Sequence, residues 1–88
     1  MGNNRAKRQN DGCRFFFVQP RNNNDVSVTA RRLIEIEHIK EVHVTTGDFG
    51  FVVRADVDEA SAEAVQRKIM RLTDGKASSV ASCMKYVK

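Results

Sequence analysis

Val44-Thr45-Thr46-Gly47-Asp48-Phe49-Gly50-Phe51-Val52-Val53 is the stretch that decides the fold of this chain. Two runs rich in β-branched and aromatic residues meet at Gly47-Asp48, residues that take turn conformations at little steric cost, so the stretch reads as a β-hairpin. Before the turn, Ile39 to Thr46 alternates with period two: Lys40, Val42, Val44 and Thr46 on one side, Ile39, Glu41, His43 and Thr45 on the other. After it, Phe49, Phe51, Val53 and Ala55 alternate with Gly50, Val52, Arg54 and Asp56. Val42, Val44 and the Phe49-Phe51-Val53-Ala55 side are the expected core faces.

Each side of the hairpin carries a helix and then another strand. Upstream, Asp25 offers a carboxylate N-cap to a helix running to about Ile36, with Val26, Ala30, Leu33 and Ile34 as its apolar stripe. Before that helix, Arg14 to Gln19 holds three Phe and a Val in succession, a run expected of a strand covered on both faces, and Pro20 ends it. Downstream, Asp58 or Ser61 caps a second helix whose stripe is Ala62, Val65, Ile69 and Leu72. Thr73-Asp74-Gly75 stops it, with Gly75 suited to the left-handed position after the helix. A last strand is expected from about Ser79 to Val87. The order βαββαβ, with right-handed crossovers, generates an α+β ferredoxin-like fold: a four-stranded antiparallel sheet with two helices on one face.

That architecture leaves one sheet face without helices. Phe15 and Phe17 alternate with Phe16 and Val18, so whichever pair packs on the helices, the other lies on the open side. Two phenylalanine-sized groups leaving water contribute on the order of 3 to 6 kcal/mol, enough to favour a partner there. A second copy of the sheet or stacked nucleobases are the candidate covers.

Eighty-eight residues make one domain with a modest core, and so small a domain gains much from oligomerisation. A hydrophobic content of 41% excludes wholesale disorder. Residues 1–12 read as a flexible basic arm, in which Arg5, Lys7 and Arg8 against Asp11 supply +2 of the net +4, and residues 13–88 read as the folded domain. Such an arm suits DNA or another polyanion, although solvation alone is its commoner fate. No apolar run reaches the length of a membrane span or a signal-peptide core, which makes the cytoplasm the expected location. Cys13 and Cys83 lack metal or redox spacing and read as buried or half-buried thiols; His38 and His43 stand apart from any ligand set. No metal site, catalytic residue or cofactor is assigned, because the chain pairs no nucleophile with a base and offers no carboxylate pair in an evident cleft.

Three passages carry a family resemblance: Leu33-Ile34-Glu35-Ile36-Glu37-His38-Ile39-Lys40-Glu41-Val42, the turn Thr45-Thr46-Gly47-Asp48-Phe49-Gly50, and Ser79-Val80-Ala81-Ser82-Cys83-Met84-Lys85-Tyr86-Val87-Lys88. From Phe15 to Lys88 the chain resembles the effector-binding domain of the Lrp/AsnC family, the leucine-responsive transcription regulators. The resemblance implies a homo-oligomer, dimeric through its sheet faces and assembled further into rings, that binds an amino acid or similar small metabolite at subunit interfaces. It places the ligand contacts at Thr46, Gly47, Asp48, Phe49 and Gly50, and makes full-length regulators of the family further partners. Turn amides suit a ligand carboxylate and Gly47 permits close approach, while Asp48 suits either an ammonium group or a local backbone bond. Where the family pattern usually has a second acidic residue, this chain has Gly50. Members that regulate transcription carry a helix-turn-helix domain before this one, and a twelve-residue arm is too short for it. The expectation is a stand-alone effector-sensing and oligomerisation module.

An alternative reads Phe49-Gly50-Phe51-Val52 as an echo of the RNA-recognition motif, with Phe49 and Phe51 as an exposed stacking platform and Arg54 and the arm on phosphates. Against it, Gly47-Asp48 stands where that motif has a basic residue followed by glycine, and the alternation turns Phe49 and Phe51 inward.

Overall fold

The computed structural model describes residues 13–21, 25–46, 50–82, 86 and 88. Strand β1 (Cys13–Gln19), helix α1 (Val26–Ile34), strands β2 (Ile39–Val44) and β3 (Phe51–Asp56), helix α2 (Glu59–Thr73) and strand β4 (Lys76–Ala81) follow in chain order. The strands form one antiparallel sheet in the order β2-β3-β1-β4. This is the ferredoxin-like arrangement, with β1 and β3 at the centre.

Register determines which side chains meet the helices. Phe16 lies opposite Val53 and Val18 opposite Phe51, and all four are buried. They join Leu33 of α1 and Val65 and Ile69 of α2 in one core, which places both helices on the same side of the sheet. Ala55, Val57, Ala62 and Ala77 complete it with small groups where the layers approach. The second helix buries Ala62, Val65 and Ile69 of the stripe expected of it and half-buries Leu72, with Thr73 added: its hydroxyl donates to the Ile69 carbonyl at 2.8 Å and so enters the core satisfied.

Both helices start where a carboxylate can take their free amides. Asp25 accepts from the Val28 amide at 3.2 Å, and Asp58, rather than Ser61, caps α2 by accepting from the Ser61 amide at 2.9 Å. That bond to Ser61 holds the Asp58 carboxyl below the usual aspartate range.

Several local expectations are corrected. Helix α1 ends at Ile34, and Val26 and Ile34 are exposed, because Leu33 and the half-buried Ala30 fill the contact with the sheet. In β2 the register shifts between Ile39 and Glu41, a bulge that puts two β2 residues against one of β3. Ile39 is thereby buried on the same side as Val42, not opposite it. Val44 shares that side by its pairing with Phe51 yet stays 56% exposed at the sheet edge. The last strand begins at Lys76, three residues before Ser79, and the described strand ends at Ala81. Asp74, not Gly75, takes the left-handed conformation, with φ 51°.

Gly75 is required for a different reason. A Cβ there would collide with the Gln19 carbonyl and lie 2.7 Å from Pro20 Cα. Gly50 faces the same proline: a Cβ on it would stand 2.7 Å from Pro20 Cδ. The end of β1 is thus gripped between two glycines. Gly75→Ala is expected to lower stability by about 1 to 3 kcal/mol, as overpacking does. Gly50→Ala should cost less, since it meets a ring edge and not backbone, and denaturant unfolding midpoints of the two variants would check the order. A second expectation concerns acid. Because the folded Asp58 pKa is depressed, its cap contributes fully above the ordinary carboxylate range and loses that contribution as pH falls through the folded value. Asp58→Asn, which still caps but does not titrate, should flatten the acid limb of a melting-temperature profile relative to the parent.

Candidate functional site

The face of the sheet away from the helices has two central rows, with Cys13–Asp56 and Gln19–Lys76 at its ends. Glu41, Arg54, Phe15 and Val80 follow one another across β2, β3, β1 and β4; His43, Val52, Phe17 and Ser78 form the next row. Phe15 and Phe17 are therefore the pair on the open side. Both are half-buried by their neighbours, as is Val52, whereas Val80 is 52% exposed. The result is an apolar diagonal on a sheet whose other face is sealed.

One corner of this face is charged. Glu41 accepts from Arg54 Nε at 3.1 Å and pairs with His43 Nε2 at 3.0 Å, and Arg54 also donates to Asp56 at 2.8 Å. The hydrogen bonds from His43 and then Arg54 hold the Glu41 carboxyl below its usual range. For Arg54, desolvation pulls the pKa down, but bonding to Cys13 and Glu41 and the charges of Asp56 and Glu41 raise it overall. Arg54 is therefore a fixed cation beside Phe15, and Cys13 is a half-buried thiol at its side. Among the described residues no group of three or more His, Cys, Asp or Glu side chains is placed to hold a metal ion.

The hairpin end is the second feature. Of the five residues expected to contact a ligand, Thr46 and Gly50 are described, while Gly47, Asp48 and Phe49 lie outside the described residues. Thr46 is exposed. Gly50 is committed to structure: its amide donates to the Val18 carbonyl at 2.8 Å and its carbonyl accepts from the Thr45 amide at 3.0 Å. The Gly50 amide is thus not one of the free turn donors. Its packing on Pro20 also gives a steric reason for glycine where an acidic residue was expected.

Of the two residues in the platform of the RNA-recognition alternative, Phe49 lies outside the described residues and Phe51 is not exposed. Phe51 is 1% exposed and sits in the core opposite Val18, because its face of β3 packs on the helices. The thiol expectation is met for Cys13; Cys83 lies outside the described residues. The bulge at β2 and the two glycine contacts carry no local sequence signal beyond Pro20, which marks the end of β1.

No helix among the described residues is long and apolar enough to cross a membrane. No family model and no curated sequence matches the chain. Solved structures do match. The Mycobacterium tuberculosis leucine response regulatory protein LrpA shares 15% identity at a TM-score of 0.75, over 100% of this chain and 63% of that one. The feast or famine regulatory protein Rv3291c of M. tuberculosis, solved in complex with L-methionine, shares 16% identity at a TM-score of 0.74, over 100% and 63%. TTHA0845 from Thermus thermophilus shares 19% identity at a TM-score of 0.70, over 86% of this chain and 98% of that one. The chain spans about three fifths of the length of the two mycobacterial regulators. At these identities the likeness is one of fold: the described residues fold as part of these solved Lrp-type regulators does.

Proposed function

We propose that this chain is an effector-binding and oligomerisation module of the Lrp/AsnC type, taking an amino acid or similar small metabolite at subunit contacts near the hairpin and working in the cytoplasm. The observation that carries the reading is the open sheet face, in a fold shared with transcription regulators, one of them solved with L-methionine. Phe15, Phe17, Val52 and Val80 give that face an apolar centre, and the Glu41-Arg54-Asp56 pairs give it a polar edge. An apolar centre with a polar rim is the ordinary anatomy of a protein interface. A second copy of the same face is its cover under this reading, and Thr46, Gly47, Asp48, Phe49 and Gly50 supply the ligand contacts at the adjoining end. With Gly50 held against Pro20, the carboxylate that meets a ligand amino group is Asp48. Association with full-length regulators through the same face follows from the same chemistry.

Sedimentation equilibrium at tens of micromolar should show an oligomer, and Phe17→Asp should convert it to a monomer with the circular dichroism of the fold retained. A strict monomer for the parent chain would sink the reading. For the effector, a thermal-shift screen against the amino acids should find at least one stabilising ligand. Saturation to about 100 times Kd stabilises the native state by about 2.7 kcal/mol. The shift should vanish in Asp48→Ala, and an intact oligomer that no amino acid stabilises would leave assembly in place and remove sensing.

A further inference from the structure

A groove of about 710 Å³ opens between the end of β1 and the turn joining α2 to β4, lined chiefly by Arg21, Met70, Arg71, Asp74, Gly75 and Lys76. Its volume is that of a small-molecule site. Three cations against one carboxylate leave the lining at +2. Arg21 faces Asp74, its Nε 4.0 Å from Oδ2, so the one acid already has a counter-charge. Among the described residues Arg71 and Lys76 have no ion-pair partner. The α2 C-terminus contributes partial negative charge, which opposes an anion. That opposition is blunted, since the Thr73 carbonyl is taken by the Arg21 amide at 3.3 Å and Arg71 lies in the last helical turn.

The frame around these cations is fixed. Asp74 holds its left-handed turn, Gly75 abuts the Gln19 carbonyl and Pro20, and Thr73 is anchored in the core. Arg71 and Lys76 therefore flank a rigid two-residue turn, Asp74-Gly75, and both line the groove. Met70, 38% exposed, adds an apolar, adaptable surface beside them. We infer that this groove binds a small organic anion whose carboxylate or phosphate lies between Arg71 and Lys76 and whose apolar portion rests on Met70. Concavity and the apolar wall favour a compact ligand over a nucleic-acid backbone, which needs a track of cations and no such wall. The lining belongs to one chain and includes no residue of the hairpin turn; Lys76, paired with Gln19 one row beyond Phe17 and Ser78, stands at the end of the open face, so the site rests on its own lining and not on the proposed effector.

Calorimetric titration of the full chain tests this with 4-methylpentanoate and butyl phosphate as organic anions, inorganic phosphate as a head group alone, 4-methylpentanamide as the neutral control, and a ten-residue oligothymidylate. One of the two organic anions should bind saturably at one site per chain, more tightly than inorganic phosphate, and the tighter of the two identifies the head group. The amide should give no saturable heat. Arg71→Gln and Lys76→Gln, both at exposed positions, should each weaken binding about tenfold, the usual scale for one charged hydrogen bond, with oligomer mass unchanged. Met70→Ser should weaken the organic anion and leave inorganic phosphate unaffected. Absence of saturable binding by either organic anion, or affinities that neither cation variant changes, would overturn the assignment. So would tighter binding of the oligothymidylate with a steep salt dependence, which would make the groove part of a polyanion track.

Discussion

Everything in this molecule hangs on β1 lying at the centre of the sheet. It bonds to β3 on one side and β4 on the other, so it has no free edge. Its helix-side residues Phe16 and Val18 reach across to Val53 and Phe51 and carry the core. Truncating a buried phenylalanine costs about 3 to 5 kcal/mol, a large part of the stability of a domain this small. The other side of the strand serves no such purpose. Phe15 and Phe17 lie on the face away from the helices, and the core is complete without them. A strand that needed only to fold would alternate apolar with polar, as the hairpin strands largely do. The continuous run Phe15-Phe16-Phe17-Val18 therefore gives the strand two apolar surfaces, one of them outside the core.

How far the sequence disclosed this depended on the range of the interaction. The period-two hairpin, the helix stripe of α2 and the carboxylate caps at Asp25 and Asp58 are local signals, and the structure contains them. Features that depend on contacts distant in sequence were not legible. The β2 bulge that buries Ile39 beside Val42 exists only relative to β3. The start of β4 at Lys76 was obscured because Lys76-Ala77-Ser78-Ser79 has little β propensity of its own, and pairing with β1 overrides it. Gly75 looked like a helix stop because it follows one; its need for close approach to Gln19 and Pro20 comes from the opposite end of the domain's sequence, where β1 ends. Of the candidate ligand contacts, Thr46 and Gly50 are among the described residues, and at Gly50 packing on Pro20, not ligand chemistry, accounts for the glycine.

Pro20 joins the hairpin to the turn after α2. Its ring lies against Gly50 at the base of the hairpin, and its backbone against Gly75 at the turn after α2. The Gly50 amide to Val18 and the Arg21 amide to Thr73 bracket it with hydrogen bonds. The hairpin base, the end of β1 and the α2–β4 turn thus behave as one braced unit. A ligand shifts an equilibrium only by binding its alternatives differently. In a unit so braced, the alternatives that differ under the proposed assembly are arrangements of subunits and not conformations of one chain. An effector seated at this end would therefore act by changing what a neighbouring copy meets there, and Phe17, one residue from Val18 on β1, puts the open face directly beside that contact.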